Sequence, residues 1–169
     1  MTLASKPYVI EPQPVLMVQE ASAPWQRPEI KIVLIDSGPL LALFNKHDSW
    51  HDRVKIWLQL NPQAKLVTTW PVMTEVCAML ARRIHNEAAL DFLRWAQRGG
   101  LTCDAPVQAS LATVLQISVR FASLPFDLAD ASIAEAASRL SIPHILSVDS
   151  DFDVYRDPAG HALVNVLRS

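Results

Sequence analysis

Four carboxylates, Asp36, Glu75, Asp130 and Asp149, stand where topology can bring them together. Asp36 follows the apolar run IVLI and Asp149 closes HILSVD (144–149); runs of this length and type read as strands buried on both faces. An open parallel sheet binds its ligands beyond the carboxyl ends of its strands, so both acids belong to that edge. Glu75 falls in the first turns of a helix leaving the strand LVTT (66–69), and that helix starts at the same edge. Asp130 lies in the first turn of a helix that feeds HILSVD through a short loop. Such a helix runs antiparallel to its strand, so it starts where the strand ends.

Side-chain direction points the same way. Glu75 shares a helical face with Val72 and Met79, and Asp130 shares one with Ile133 and Ala137, so both carboxylates follow core-facing stripes. Unpaired charge there is costly, and clustered carboxylates raise one another's pKa. No Lys or Arg is placed as an evident partner. A divalent cation resolves the conflict, and Mg²⁺ or Mn²⁺ suits an all-carboxylate site better than zinc does. Acids holding such an ion against phosphate oxygens can activate water for an in-line displacement. Taken singly, each acid has an ordinary role. Asp36 can cap a helix or a turn, and Glu75 can be a solvated helix residue. Asp127 reads as an N-cap with Asp130 as a first-turn charge behind it, and Asp149, Asp151 and Asp153 resemble a surface loop. Their common edge carries the chemical reading.

The elements that must position these groups follow from the pattern. In a chain of 169 residues, 50% hydrophobic and 19% charged, there is enough apolar sequence for one domain with a real core. Residues 1–29 hold five of the twelve prolines and no sustained apolar period, which reads as a flexible arm; Val15–Val18 is a stretch able to dock on the domain or a partner. Residues 30–169 read as the domain. Ser37 is the expected cap of a helix through LLALF with Pro39 in its first turn, and a second helix carries the stripe Trp50, Val54, Trp57 and Leu58 up to Asn61 and Pro62. Pro71 opens a helix striped by Val72, Val76, Met79 and Leu80. Further helices are expected over 87–98, ending at Gly99 and Gly100, over 107–122, and from Leu128 with the stripe Ala129, Ile133, Ala136, Ala137 and Leu140. LTCDA (101–105) and ALVNV (162–166) complete the strands. Strands alternating with helices predict a mainly parallel sheet covered on both faces.

The segments IDSGPLLALF, TTWPVMTEVCAMLARR, LPFDLADASIAEAASRL and ILSVDSDFDVYR resemble, in order and spacing, the PIN-domain ribonucleases, especially the VapC-type toxins of type II toxin–antitoxin pairs. DLADAS followed by SVDSDF is the most specific part. The resemblance implies a PIN-like three-layer α/β/α sandwich and an endoribonuclease cutting RNA phosphodiesters with Mg²⁺ or Mn²⁺. It implies Asp36, Glu75, Asp130 and Asp149 as catalytic and metal-binding acids, with Asp36 and Asp130 most central. Ser147, Asp127 and Asp151 are accessory candidates; Ser147 stands where the family usually has Thr and keeps the hydroxyl. A homodimer and an antitoxin reaching into the acidic pocket are the implied partners. The Pro-rich arm departs from the family's compact start.

Other features bound the reading. The formal charge of −2 disfavours binding nucleic acid by bulk positive charge. No apolar run approaches the 18 to 20 or so residues of a membrane span, nor is there a signal-peptide block, so the expected location is the cytoplasm. Cys77 and Cys103 are too few for a disulfide framework or zinc site and read as small buried residues. His47 and His51 read as polar residues near a helix start, Arg82 and Arg83 as a solvated face within reach of flanking phosphates, and Trp50 and Trp57 as core or dimer contacts. Alternatives are a housekeeping PIN nuclease, a non-catalytic PIN-like binding module and a haloacid-dehalogenase-like phosphatase using Asp36 as nucleophile. The phosphatase needs a second Asp two positions on, where this chain has Gly38.

Overall fold

The run IVLI forms β1 (Ile32–Ile35), which is central because three of its four side chains are buried and it pairs on both sides. LVTT lies in β2 (Lys65–Thr69) and LTCDA narrows to β3 (Thr102–Asp104), while β4 (His144–Leu146) and β5 (Val164–Asn165) complete the sheet. The order is β3-β2-β1-β4-β5 with every pair parallel. The computed structural model describes residues 29–168, and the arm expected over residues 1–29 lies outside them except for Glu29.

The helices are α1 (Ser37–Phe44), α2 (His51–Leu60), α3 (Trp70–Arg83), α4 (Asn86–Trp95), α5 (Ser110–Arg120) and α6 (Leu128–Leu140). They flank the sheet in the three-layer arrangement that βα alternation dictates. Most stripes are core contacts: Val72, Val76 and Leu80 of α3 are buried, as are Ala129, Ile133, Ala136 and Ala137 of α6. Leu140 departs from its stripe and is exposed. The helix turns into its cap there, with Ser141 left-handed at φ 55° and Pro143 beyond. On α2 only Val54 is fully buried; Trp50, Trp57 and Leu58 are half-buried against the core. Cys77 and Cys103 are half-buried rather than buried, and both are free thiols. After Trp95 the chain leaves α4 through a wide turn ending at Gly99, whose φ of 88° suits glycine. Among the described residues no helix is long and apolar enough to cross a membrane.

Two boundary differences bear on the site. The cap of α1 is Asp36 rather than Ser37, with Asp36 Oδ1 accepting from Ser37 N at 2.6 Å. The expected strand 144–149 stops at Leu146, because the neighbouring edge strand offers a side chain in place of backbone. Asn165 Nδ2 donates to Ser147 O at 2.9 Å and Asn165 Oδ1 accepts from Ser147 N at 3.4 Å. Ser147 is thereby held at the sheet edge while the chain is free to turn.

Candidate active site

β1 and β4 are paired through Ile35 and Leu146, so the next residues, Asp36 and Ser147, emerge side by side at the carboxyl edge. Asp36 is 4% exposed. Its Oδ2 accepts from Ser147 Oγ at 3.0 Å, and the same Oγ accepts from Asp149 N at 2.9 Å. Asp149 Oδ1 in turn accepts from Asp151 N at 2.9 Å. A single hydroxyl thus ties the buried acid to the turn that bears the exposed ones.

Asp130 approaches from α6. Asp127 caps that helix, its Oδ1 accepting from Ala129 N at 2.7 Å and Asp130 N at 3.3 Å, which fixes the first turn and the direction of Asp130. Carboxylate oxygens of Asp130, Asp149 and Asp151 lie within 4.8 Å of one another. Asp36 and Glu75 are not members of this group of three. Asp36 lies beneath, repelled by both Glu75 and Asp149, and Asp130 is repelled by Asp36. Glu75 is half-buried on α3, near enough to Asp36 for its charge to raise the Asp36 carboxyl.

The electrostatics record the crowding. Burial lifts the Asp36 carboxyl to about 6, opposed by hydrogen bonds from Ser37 and Ser147 and reinforced by Glu75 and Asp149. Burial raises Asp130 to about 8, with further repulsion from Asp36, Asp127, Asp149 and Asp151. Asp151 is pushed up by burial and by Asp149. Tyr155, 5% exposed against Phe121 and Phe152, is lifted to about 12 by burial and by the field of the same acids. Among the described residues no cation pairs with these carboxylates. Arg168 reaches the loop, but it bonds Asp153 Oδ2 at 3.1 Å and the Asp149 carbonyl at 3.3 Å. Oxygen donors converging without a counter-charge fit a hard divalent cation of the magnesium or manganese kind, which would relieve the repulsion.

The remaining candidates separate from the cluster. His51 Nδ1 sits 2.8 Å from the Ala42 carbonyl, and no histidine joins the acidic group among the described residues. Arg82 and Arg83 are exposed in the last turn of α3, with Arg82 Nε donating to Ala78 O at 3.2 Å. Asn165 and Tyr155 were not legible as site residues. The one signal for Asn165 was a polar residue inside ALVNV, and Tyr155 had none. At Gly38 a Cβ would lie 2.4 Å from Val148 Cγ2, so a side chain can enter where the phosphatase chemistry wants its second Asp only if Val148 moves. Gly38→Ala is expected to lower stability by about 1 kcal/mol, since Val148 can give a little. It should also reduce activity by displacing Asp149; a thermal melt identical to wild type would contradict this packing.

A family model of the PIN domain matches residues 33–158. Solved structures of similar fold include Mycobacterium tuberculosis VapC20, described as a sarcin-ricin loop cleaving toxin, at 20% identity and TM-score 0.68, covering 78% of this chain and 98% of that one. VapBC2 from Rickettsia felis, bound to a DNA fragment from their promoter, aligns at 14% identity and TM-score 0.58, covering 73% and 92%. At these identities the likeness speaks for the fold. No curated protein matches the sequence.

Proposed function

The chain belongs to the PIN domain family, and from that premise we propose that it is a metal-dependent endoribonuclease hydrolysing RNA phosphodiester bonds, acting in the cytoplasm as the toxin of a toxin–antitoxin pair. One observation carries this reading: Asp130, Asp149 and Asp151 meet above the buried Asp36 with no cationic side chain among the described residues to balance them. Asp36, Asp130, Asp149 and Asp151 would hold Mg²⁺ or Mn²⁺, with the charge of Glu75 close to Asp36. When bound, the ion supplies positive charge against phosphate oxygens and a water of lowered pKa. The protein's own groups do the positioning. Ser147 holds Asp36 and the Asp149 turn in fixed relation, and Asp127 fixes the turn that carries Asp130. Tyr155, Phe121 and Phe152 form an apolar backing, and such backing strengthens electrostatic interactions at the edge.

The toxin role and its partners, an antitoxin and a second copy, rest on the VapC-type resemblance. The apolar residues Leu115 and Val119, 63% and 69% exposed on α5, are consistent with a protein partner. The deciding experiment incubates purified protein with single-stranded RNA. Cleavage is expected with Mn²⁺ or Mg²⁺ and should stop on chelation; cutting that persists in chelator would remove the metal from the reaction. Growth arrest on expression, relieved by a small open reading frame directly upstream, is the test of the toxin role.

A further inference from the structure

Beside the acids, across the end of β2, lies a second concavity of about 280 Å³. Two residues beyond the paired Leu34 and Val67 come Asp36 on one strand and Thr69 on the next, so the groove begins one strand away from the buried acid. Leu128, in the same helical turn as Asp130, forms part of its wall together with Pro71, Val107 and Leu111. The acids and the groove thus occupy the two flanks of the start of α6.

The floor is polar and has a definite sense. Ser132 Oγ donates to Ala129 O at 2.7 Å, which uses its one proton. The proton in the 2.6 Å contact between Thr69 Oγ1 and Ser132 Oγ therefore comes from Thr69, leaving Thr69 Oγ1 only lone pairs to offer. Glu135, 5% exposed, takes Ser110 Oγ at 2.9 Å and Arg139 Nε at 2.8 Å on Oε1 and Arg139 Nη2 at 3.2 Å on Oε2, so only a lone pair of Oε2 is left to accept from a ligand. Both Thr69 and Glu135 line the groove.

Apolar walls over an acceptor floor suit a flat ligand with apolar faces and N–H groups on its edge. We propose that this groove is a nucleobase subsite, holding an unpaired, amino-bearing base of the RNA whose phosphate the acids engage; it rests on the nuclease reading above. Adenine, cytosine and guanine carry an exocyclic amine with two N–H groups, whereas uracil has a single N3–H flanked by two carbonyls that the same acceptors repel. The volume is at the small end of ligand sites, about 300 Å³, which suits one nucleoside better than a run of peptide.

The test has two arms that fail separately. In the first, metal-free full-length protein with labelled methyl groups is titrated with AMP, CMP, GMP and UMP. Shifts at Val107, Leu111, Val114 and Leu128 are expected for the first three, with UMP at least fivefold weaker. Equal response to UMP, or no response while a Leu-Ala-Leu tripeptide moves the same methyls, would overturn the subsite in favour of a protein partner. In the second arm Gln108→Trp, at the exposed lip, fills the groove, with Val107→Trp as the alternative if the first variant misfolds. RNA cleavage should fall at least tenfold, chiefly through KM. Hydrolysis of bis(p-nitrophenyl) phosphate, a diester with no base, should be unchanged. A folded variant that cleaves RNA like wild type overturns the subsite. Methyl shifts in a protein that cuts neither substrate leave the subsite standing and remove the nuclease reading.

Discussion

Asp36→Asn is expected to lower RNA cleavage by about 1,000-fold, or about 4 kcal/mol of transition-state stabilisation, with the fold intact. Asp36 is the one acid of the site that is almost fully buried, at 4% exposed, and both of its oxygens are engaged, by Ser37 N and Ser147 Oγ. Asparagine has the same shape and keeps an oxygen for the helix cap, so the α1 start should survive. What disappears is a negative charge in a place where water cannot substitute for it. The variant also separates the candidate chemistries. Under the nuclease reading it loses diesterase activity, whereas a phosphatase would show its loss on monoesters, and a binding module would have nothing to lose. The measurement is single-turnover cleavage of single-stranded RNA in saturating Mn²⁺ beside a thermal melt. Cleavage within threefold of wild type would refute a central role for Asp36.

Much of the architecture could be read from hydrophobic period alone, because β1 and α6 bury the residues that their runs mark. IVLI is the central strand, and Ala129, Ile133, Ala136 and Ala137 face the core. Boundaries were less legible where a side chain replaces a backbone partner. HILSVD looks continuous, yet Asn165, 18 residues away, takes the hydrogen bonds of Ser147 and ends β4 at Leu146. No local pattern encodes that substitution. The same limit applied to the site. Strand ends and helix starts indicate a shared edge, but they do not tell which acids approach within a few ångströms. Asp151 joins Asp130 and Asp149 because Asp149 Oδ1 draws the Asp151 amide into a tight turn, whereas Asp36 stays below as the capping acid of α1. The groove beside them was invisible because Thr69, Leu111, and the pair Ser132 and Glu135 come from three separate elements.

Asp130→Asn, by contrast, should make the metal-free protein more stable while abolishing most of its activity. The sign follows from the proton balance. Asp130 moves from 3.8 to about 8 and Asp36 from 3.8 to about 6 on folding, so between about pH 4 and pH 8 the folded state binds more protons than the unfolded one. Stability must then fall as pH rises through that window, the Asp36 contribution being lost first and the Asp130 contribution persisting to about pH 8. Asp130 alone would cost about 5 to 6 kcal/mol above pH 8; it is only partly buried and solvent screens its neighbours, which brings the expected gain from Asp130→Asn to about 2 to 3 kcal/mol at pH 8. At pH 4 the two proteins should melt together, because the wild-type carboxyl is protonated there in the folded state. Added Mn²⁺ should raise the melting temperature of the wild type most at pH 8, where the carboxylates are open to it, and raise that of the variant much less. Thermal melts in chelator and in Mn²⁺ across this range decide the matter. If the wild type without metal is as stable at pH 8 as at pH 5, or if Asp130→Asn melts below it in chelator, the four acids do not repel one another as their positions require, and their claim to a cation goes with it.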